Sequence, residues 1–152
     1  MKTVVITGSA RGFGLEMLKL FRINDFNTVI CDISKESITT AKEELEKINS
    51  KGKILSFEVD TTKEEEVKDL INQVIEEVKT IDIWINNAGV NQPNKPIWEL
   101  DKKTIDRLID IDLKGTITCS KLIMKTMIKK KSGQIFNVEG HGSNDAKILG
   151  LS

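Results

Sequence analysis

Several residue types are rare or missing in this 152-residue chain. It contains no tyrosine, a single histidine and only two cysteines, Cys31 and Cys119, which lie far apart and show no C-x-x-C spacing. A disulfide framework and a zinc cluster therefore have no support, and we expect no metal site. Two packed, reduced thiols suit a reducing compartment, and we expect a cytoplasmic protein.

The chain also lacks net charge and long apolar runs. Lys+Arg and Asp+Glu both number 23, so no overall positive field would draw it to nucleic acid or an anionic membrane. The apolar run after Lys2 is too short for a signal peptide, and nothing approaches the roughly 18 apolar residues of a membrane span. We expect neither nucleic acid nor membrane as a partner. A composition of 39% apolar and 30% charged residues is typical of a globular protein, and we expect one domain over residues 1–152.

Short β-rich segments alternate with amphipathic helical segments. We predict strands at 3–7, 28–32, 54–59, 81–86 and 134–138. Apolar residues recur at helical spacing between Val67 and Val78, and Thr62-x-x-Glu65 ahead of them predicts a capping box. A similar pattern follows Ser34. Strands joined by crossover helices run parallel, so we predict an α/β fold with a doubly wound parallel sheet in the order 3-2-1-4-5.

The first strand runs into the glycine-rich stretch TGSARGFG, which contains Gly8, Gly12 and Gly14. A tight turn whose backbone approaches a pyrophosphate tolerates no Cβ at its critical points, and the following helix offers free N–H groups to phosphates. The same glycines would also suit a purely structural turn, and both interpretations remain open. No Gly-Lys-Ser/Thr follows, so a P-loop is excluded.

The second predicted strand ends at Asp32, 18 residues after Gly14. A carboxylate there can accept hydrogen bonds from both ribose hydroxyls of an adenosine and repel a 2′-phosphate, which favours NAD over NADP. Two alternatives stay open. Arg11 in the glycine-rich turn would favour a 2′-phosphate, and Asp32 would also suit a cap for the helix near Ser34.

Three further motifs complete the pattern: VDTT at 59–62, NNAG at 86–89 and IDIDLKGT at 109–116. Together with the glycine-rich stretch and Asp32, they resemble the short-chain dehydrogenase/reductase family from Met1 to about Val138. The segment IFNVEGHGS is similar to the branch of that family that contains chlorophyll b reductase. The resemblance implies a Rossmann-type fold and NAD(P)-dependent hydride transfer between a nicotinamide cofactor and a small carbonyl or alcohol substrate.

The resemblance also implies a set of cofactor-binding residues. The glycine-rich segment cradles the pyrophosphate, the acid after strand 2 holds the adenosine ribose, the Asp-Thr pair flanks the adenine, and NNAG supports the sheet beside the cofactor. Carried over, these roles fall on Gly8, Ser9, Arg11, Gly12, Phe13, Gly14, Asp32, Asp60, Thr61, Asn87, Ala88 and Gly89.

The family's catalytic residues are not matched in this chain. Family members use a tyrosine with a lysine four residues later, a serine and a relay asparagine. This chain has no tyrosine, Asp112 stands at the relay position, Gly140 stands where the serine is expected, and the tyrosine segment would fall just beyond Ser152. Asp112 and Ser143 are the remaining catalytic candidates, with Ser143 and His141 equally interpretable as loop residues without a role. We expect little or no turnover by the isolated chain.

The family adds strands 6 and 7 after strand 5, and the present sequence lacks them, so it resembles a C-terminally truncated domain. Strand 5 would then be an edge with one uncovered face, either Phe136 and Val138 or Ile135 and Asn137. We expect a partner chain, loosening or poor solubility as a result. The helix at 113–130 packs in dimers of the family, which implies a homo-oligomer. Lys129, Lys130 and Lys131 are expected to be a solvated helix end.

Two alternatives to a dehydrogenase remain. One is a non-catalytic dinucleotide-binding module that acts through a partner chain. The other is a different Rossmann-like enzyme such as a methyltransferase, which also favours an acid after strand 2, although the G-x-x-x-G-x-G spacing and NNAG argue against it.

Overall fold

The structure, a computed structural model, describes residues 1–91, 93 and 95–139. The strands are β1 (Thr3–Thr7), β2 (Asn27–Asp32), β3 (Ile54–Glu58), β4 (Ile83–Asn86) and β5 (Gln134–Asn137). The helices are α1 (Gly12–Ile23), α2 (Lys35–Glu46), α3 (Glu64–Val78), α4 (Lys102–Leu108) and α5 (Thr116–Lys130). The strands form one parallel sheet in the order β3-β2-β1-β4-β5, which confirms the predicted fold and topology.

The two central strands explain why the sheet needs helices on both faces. Every residue of β1 and β2 is buried, as expected for parallel strands covered on both sides. Val5, Val29 and Trp84 pack on one face with residues of α3 and α5. On the other face, Val4, Ile6 and Ile30 pack with Leu18 of α1 and Leu45 of α2. Alternation along each strand thus divides the core into two layers.

The start of α3 differs from the prediction. The helix begins at Glu64, after Lys63 at the N-cap, so the predicted capping box of Thr62 and Glu65 is wrong. Thr62 instead donates both its backbone N–H and its hydroxyl to Oδ1 of Asp60. Glu66 reaches back before the helix instead, because its Oε2 accepts the Asp60 N–H at 2.8 Å. By contrast, Ser34 caps α2 by accepting the Ser37 N–H.

A long helical run follows β4. After a short 3-10 helix at Ile97–Glu99, α4 continues through a π-helical segment (Ile109–Gly115) directly into α5. The predicted 113–130 helix is therefore the later part of a longer element. Gly115 lets this element approach the end of β3, because an added Cβ would lie 3.1 Å from Oγ1 of Thr61. No helix in the described part of the chain is both long enough and apolar enough to cross a membrane.

The C-terminal end of α5 is tied to the sheet. Lys130 pairs with Asp82, which precedes β4, and also donates to the hydroxyl of Thr80. Asp82 in turn accepts the Thr3 N–H at 2.8 Å, which joins β1 to the same cluster. The expectation that Lys130 is merely solvated is therefore wrong, because a carboxylate lies within its reach.

β5 lies at the edge of the sheet. Ile135 packs against the core layer of α3 and α5, beside Trp84 in the register. Phe136 and Val138 are 49% and 42% exposed, so theirs is the uncovered face of the two considered from the sequence.

Candidate functional site

A cavity of about 1160 Å³ opens at the carboxyl ends of the strands. In a doubly wound sheet this is where ligands bind, at the point where the strand order reverses between β1 and β4. Residues following β1, β2, β3 and β4 all contribute to its wall. Eleven of the twelve residues predicted to bind cofactor line it: Gly8, Arg11, Gly12, Phe13, Gly14, Asp32, Asp60, Thr61, Asn87, Ala88 and Gly89.

The glycine-rich turn is shaped by close backbone contact with the NNAG segment. Gly8 has φ +61°, and an added Cβ would lie 2.8 Å from Cα of Ala88. At Gly14 an added Cβ would lie 2.6 Å from Nδ2 of Asn87. Gly12 has φ +56°, yet nothing lies within 4 Å of an added Cβ, which would point into open space. Because α1 begins at Gly12, its first N–H groups face this turn without helical partners.

Hydrogen bonds lock the same two segments together. Oγ1 of Thr7 accepts the N–H groups of Asn87 and Ala88 at 3.0 and 2.9 Å. Nδ2 of Asn87 donates to the carbonyl oxygens of Thr7 and Gly8, both at 3.0 Å. Asn87 therefore holds the glycine-rich turn in position in addition to lining the cavity.

Asn86, the first residue of NNAG, connects three elements beneath the cavity. Its Oδ1 accepts the indole N–H of Trp84 at 2.8 Å. Its Nδ2 donates to Oδ1 of Asn137 on β5 and to the hydroxyl of Ser120 on α5. A buried amide with these partners fixes the end of β4.

Asp32 lines the cavity at the end of β2 and is only 7% exposed. Its Oδ2 accepts the Ala10 N–H at 3.3 Å and its Oδ1 accepts the Ser34 N–H at 3.2 Å. The cap of α2 is the Ser34 side chain, so Asp32 holds the residue before the helix and does not cap the helix itself. A carboxylate can accept about four hydrogen bonds, so Asp32 can accept further hydrogen bonds from a ligand.

Ser9 is the one predicted cofactor residue that does not line the cavity. It is fully buried, and its Oγ accepts the Cys31 N–H at 3.2 Å. The hydroxyl thus links the glycine-rich turn to β2. Arg11, two residues later, lies on the cavity wall.

The opposite wall of the cavity was not found from the sequence. It comes from α4 and the start of the π-helical segment and consists of Lys102, Lys103, Asp106, Arg107, Asp110 and Ile111. Lys103, Arg107 and Asp110 recur at helical spacing. This spacing is the one feature of the sequence that places all three on the same face of a helix.

Of the catalytic candidates, only Asp112 lies among the described residues. Oδ1 of Asp112 accepts the Val90 N–H at 2.9 Å, and Asp112 is not part of the cavity wall. Its carboxylate therefore fixes the segment after NNAG against the π-helical segment. Gly140, His141 and Ser143 lie outside the described residues.

The two thiols lie in the core layer of α3 and α5, not at the cavity. Burial raises the pKa of Cys119 to about 12. Burial, and then the neighbouring Cys119, raises the pKa of Cys31 as well. Both are therefore poor nucleophiles at neutral pH. Within the described ranges, no group of three or more His, Cys, Asp or Glu residues is arranged to hold a metal ion.

Comparison with known families identifies the fold. The family model described as short chain dehydrogenase matches residues 2–149. The chain belongs to the short-chain dehydrogenase family. Among curated proteins, it is 33% identical over 158 residues to the probable chlorophyll(ide) b reductase NYC1 of Oryza sativa subsp. japonica. That match covers 93% of this chain and 31% of the rice protein, and it agrees with the chlorophyll b reductase branch indicated by the sequence.

Solved structures of this dehydrogenase family superpose closely. A short chain dehydrogenase from Bacillus anthracis str. 'Ames Ancestor' shares 33% identity with a TM-score of 0.90, over 97% of this chain and 59% of that one. ElxO with NADP bound shares 25% identity with a TM-score of 0.88, over 99% of this chain and 60% of ElxO. NAD⁺-bound xylitol dehydrogenase, at 22% identity and a TM-score of 0.90 over 97% of this chain and 56% of its own, shows the fold alone. The chain spans about a third to a half of the length of most of the curated relatives that it matches.

Proposed function

We propose that this chain is the cofactor-binding portion of an NAD(P)-dependent oxidoreductase that interconverts a carbonyl and an alcohol. The observation that carries the proposal is the single cavity whose wall combines the glycine-rich turn, Asp32, the Asp60-Thr61 pair and NNAG. A nicotinamide dinucleotide needs each of these features at once: a phosphate site, a ribose acceptor and an adenine pocket. When bound, the nicotinamide supplies or accepts the hydride.

Different groups of this chain would bind different parts of the cofactor. The free N–H groups at the start of α1 and the glycine backbone would bind the pyrophosphate, because a helix N-terminus favours anions. Asp60 and Thr61 would flank the adenine. Asn87, which bonds the turn through its amide, would keep the phosphate site in shape.

We propose NAD as the preferred cofactor. Asp32 presents a buried carboxylate to the cavity, where a 2′-phosphate would meet like charge and ribose hydroxyls would meet an acceptor. Arg11 on the same wall works in the opposite direction and would favour NADP. Asp32 should outweigh Arg11 because burial strengthens its electrostatic effect.

The isolated chain should bind cofactor without efficient turnover. It contains no tyrosine to act as the family's acid/base, and loss of a general acid/base costs about 10²- to 10⁴-fold in rate. Calorimetric titration with NADH, NADPH and S-adenosylmethionine tests the cofactor class. Failure of both nicotinamide cofactors to bind would refute the proposal, and binding of S-adenosylmethionine alone would point to a methyltransferase. Carbonyl-dependent NADH oxidation by the pure chain would refute the claim of weak turnover.

We further propose that the long helical run mediates self-association. Large apolar side chains are exposed along it at Ile105, Ile109, Leu113, Ile117, Met124 and Ile128, here called the apolar stripe. A stripe of this kind on a globular protein is typical of an interface. A cytoplasmic location is part of the same proposal, since two unpaired buried thiols suit a reducing compartment.

A further inference from the structure

The acidic side chains on the cavity wall already have partners. Asp32 accepts two backbone N–H groups, and Asp60 accepts the N–H and hydroxyl of Thr62. Asp106 pairs with Lys102, and Asp110 pairs with Lys114 at 2.7 Å. On the α4 wall the two carboxylates are therefore neutralised by lysines within the protein, whereas Asp32 and Asp60 keep their charge and hold neutral donors.

Three basic side chains of the same wall, by contrast, lack such partners among the described residues. Arg11, Lys103 and Arg107 line the cavity, and none of them forms an ion pair or side-chain hydrogen bond with another described residue. Arg11 belongs to the glycine-rich turn, where the pyrophosphate site is proposed. Lys103 and Arg107 belong to α4, on the opposite wall.

Lys103 and Arg107 are four residues apart on α4 and face one cavity. Side chains at this spacing are neighbours on a helix, and like charges there destabilise it. An anion held between them would remove that repulsion. The pair also combines complementary donors, because Arg binds a phosphate or carboxylate through a rigid fork and Lys adds a compact charge.

We propose that Lys103 and Arg107 form an anion subsite on the α4 wall, separate from the glycine-rich turn. It binds a phosphate monoester or carboxylate carried by the ligand that fills the cavity. The inference rests on the proposed function in one respect, that this ligand is a dinucleotide or its co-substrate. The anion therefore has two possible sources: an additional phosphate on the cofactor or an acid group on the substrate.

The test compares the wild-type chain with K103Q/R107Q at low ionic strength, where screening is weak. The matched control is K125Q/K129Q, which removes two exposed charges at the same spacing from α5, away from the cavity. Inorganic phosphate is the first probe, titrated by calorimetry. We expect its affinity to fall about tenfold in K103Q/R107Q and less than about twofold in the control, since two charge-assisted contacts are lost.

Two further titrations distinguish the sources. A fall in NADPH affinity relative to NADH affinity in K103Q/R107Q assigns the subsite to a cofactor phosphate. An unchanged ratio, with weaker phosphate binding to the NADH-saturated variant, assigns it to a substrate acid. Equal phosphate affinity in wild type and K103Q/R107Q overturns the subsite, as does an equal loss in both variants. If NADH fails to bind while the phosphate difference persists, the proposed function fails and the subsite stands.

Discussion

Among single residues, a substitution at Gly12 best separates an effect on ligand binding from an effect on folding. Its added Cβ would contact no protein atom, and Gly12 lines the cavity where the pyrophosphate site is proposed. We expect Gly12→Ala to weaken NADH binding about tenfold or more, because the methyl group occupies the proposed pyrophosphate site. The positive φ should cost only about 1–2 kcal/mol of stability. Calorimetry and urea unfolding measure the two effects, and unchanged NADH affinity in the folded variant would contradict the proposal.

Substitutions at Asp32 and Ser34 distinguish an effect on ribose recognition from an effect on helix capping. Asp32 lines the cavity, whereas Ser34 caps α2 from just outside it. We expect Asp32→Ala to weaken NADH binding more than NADPH binding, because a ribose acceptor is lost and repulsion of a 2′-phosphate is removed. The control Ser34→Ala should cost about 1 kcal/mol of stability and leave the ratio of affinities unchanged. If the ratio of NADH to NADPH affinity is the same in Asp32→Ala and in the wild type, Asp32 does not determine which cofactor is preferred.

The sequence predicted the residues whose role follows from local chemistry. Gly8 and Gly12 could be found because a tight turn with positive φ restricts the residue type. The mixed charges of α4 look like an ordinary solvated helix, and only tertiary packing brings Lys103 and Arg107 to the cavity. The position of Ser9 outside the cavity wall could not be predicted for a related reason, because it depends on the tertiary contact of its hydroxyl with the Cys31 N–H of β2.

At the scale of elements, the attachment of α5 to the sheet should depend on pH. Burial favours a higher pKa for Asp82, but the Lys130 ammonium and the Thr3 N–H outweigh it and hold that pKa below its usual range. A lowered folded-state pKa gives stability that is present above the unfolded value and lost as the pH falls through the folded value. The stabilisation should therefore be intact at neutral pH and disappear in acid, below about pH 4.

Asp82→Asn measures this contribution. We expect it to lower the free energy of unfolding by about 1 kcal/mol at pH 7, since a charge-assisted hydrogen bond is weakened. The difference from wild type should vanish in urea unfolding below the folded-state pKa of Asp82. Lys129→Gln, next to Lys130 but outside the ion pairs of the described residues, is the control and should have little effect. A difference that stays constant with pH would mean that the ion pair is not the cause.

Element boundaries show where sequence patterns stop being sufficient. The five strands are close to the predicted segments, because buried parallel strands require apolar, β-branched residues. The start of α3 was misplaced because Asp60 competes for the Thr62 hydroxyl that a capping box would use. The π-helical segment has no simple periodic signature, so the long helix after β4 was predicted too short.

For the molecule as a whole, the apolar stripe should control self-association. Ile117 lies on the stripe and is 57% exposed. We expect Ile117→Glu to shift the chain toward monomer, because a charge buried in an apolar interface is costly. Leu20→Glu is a matched control on α1, where Leu20 is 63% exposed but lies outside the stripe. Light scattering over a range of concentrations gives the result, and equal masses for wild type and Ile117→Glu would exclude the stripe as the interface.

The central claim is that the cavity at the carboxyl ends of the strands binds a nicotinamide dinucleotide with its pyrophosphate at the start of α1. Titration of the ¹⁵N-labelled chain with NADH, followed by amide chemical shifts, tests it most directly. We predict saturable shifts at Gly12, Phe13 and Gly14 and at Asp60 and Thr61. We predict none at Thr80, which precedes β4 at the amino ends of the strands. Absence of saturable shifts at the glycine-rich turn, or shifts confined to other surfaces, would contradict the account.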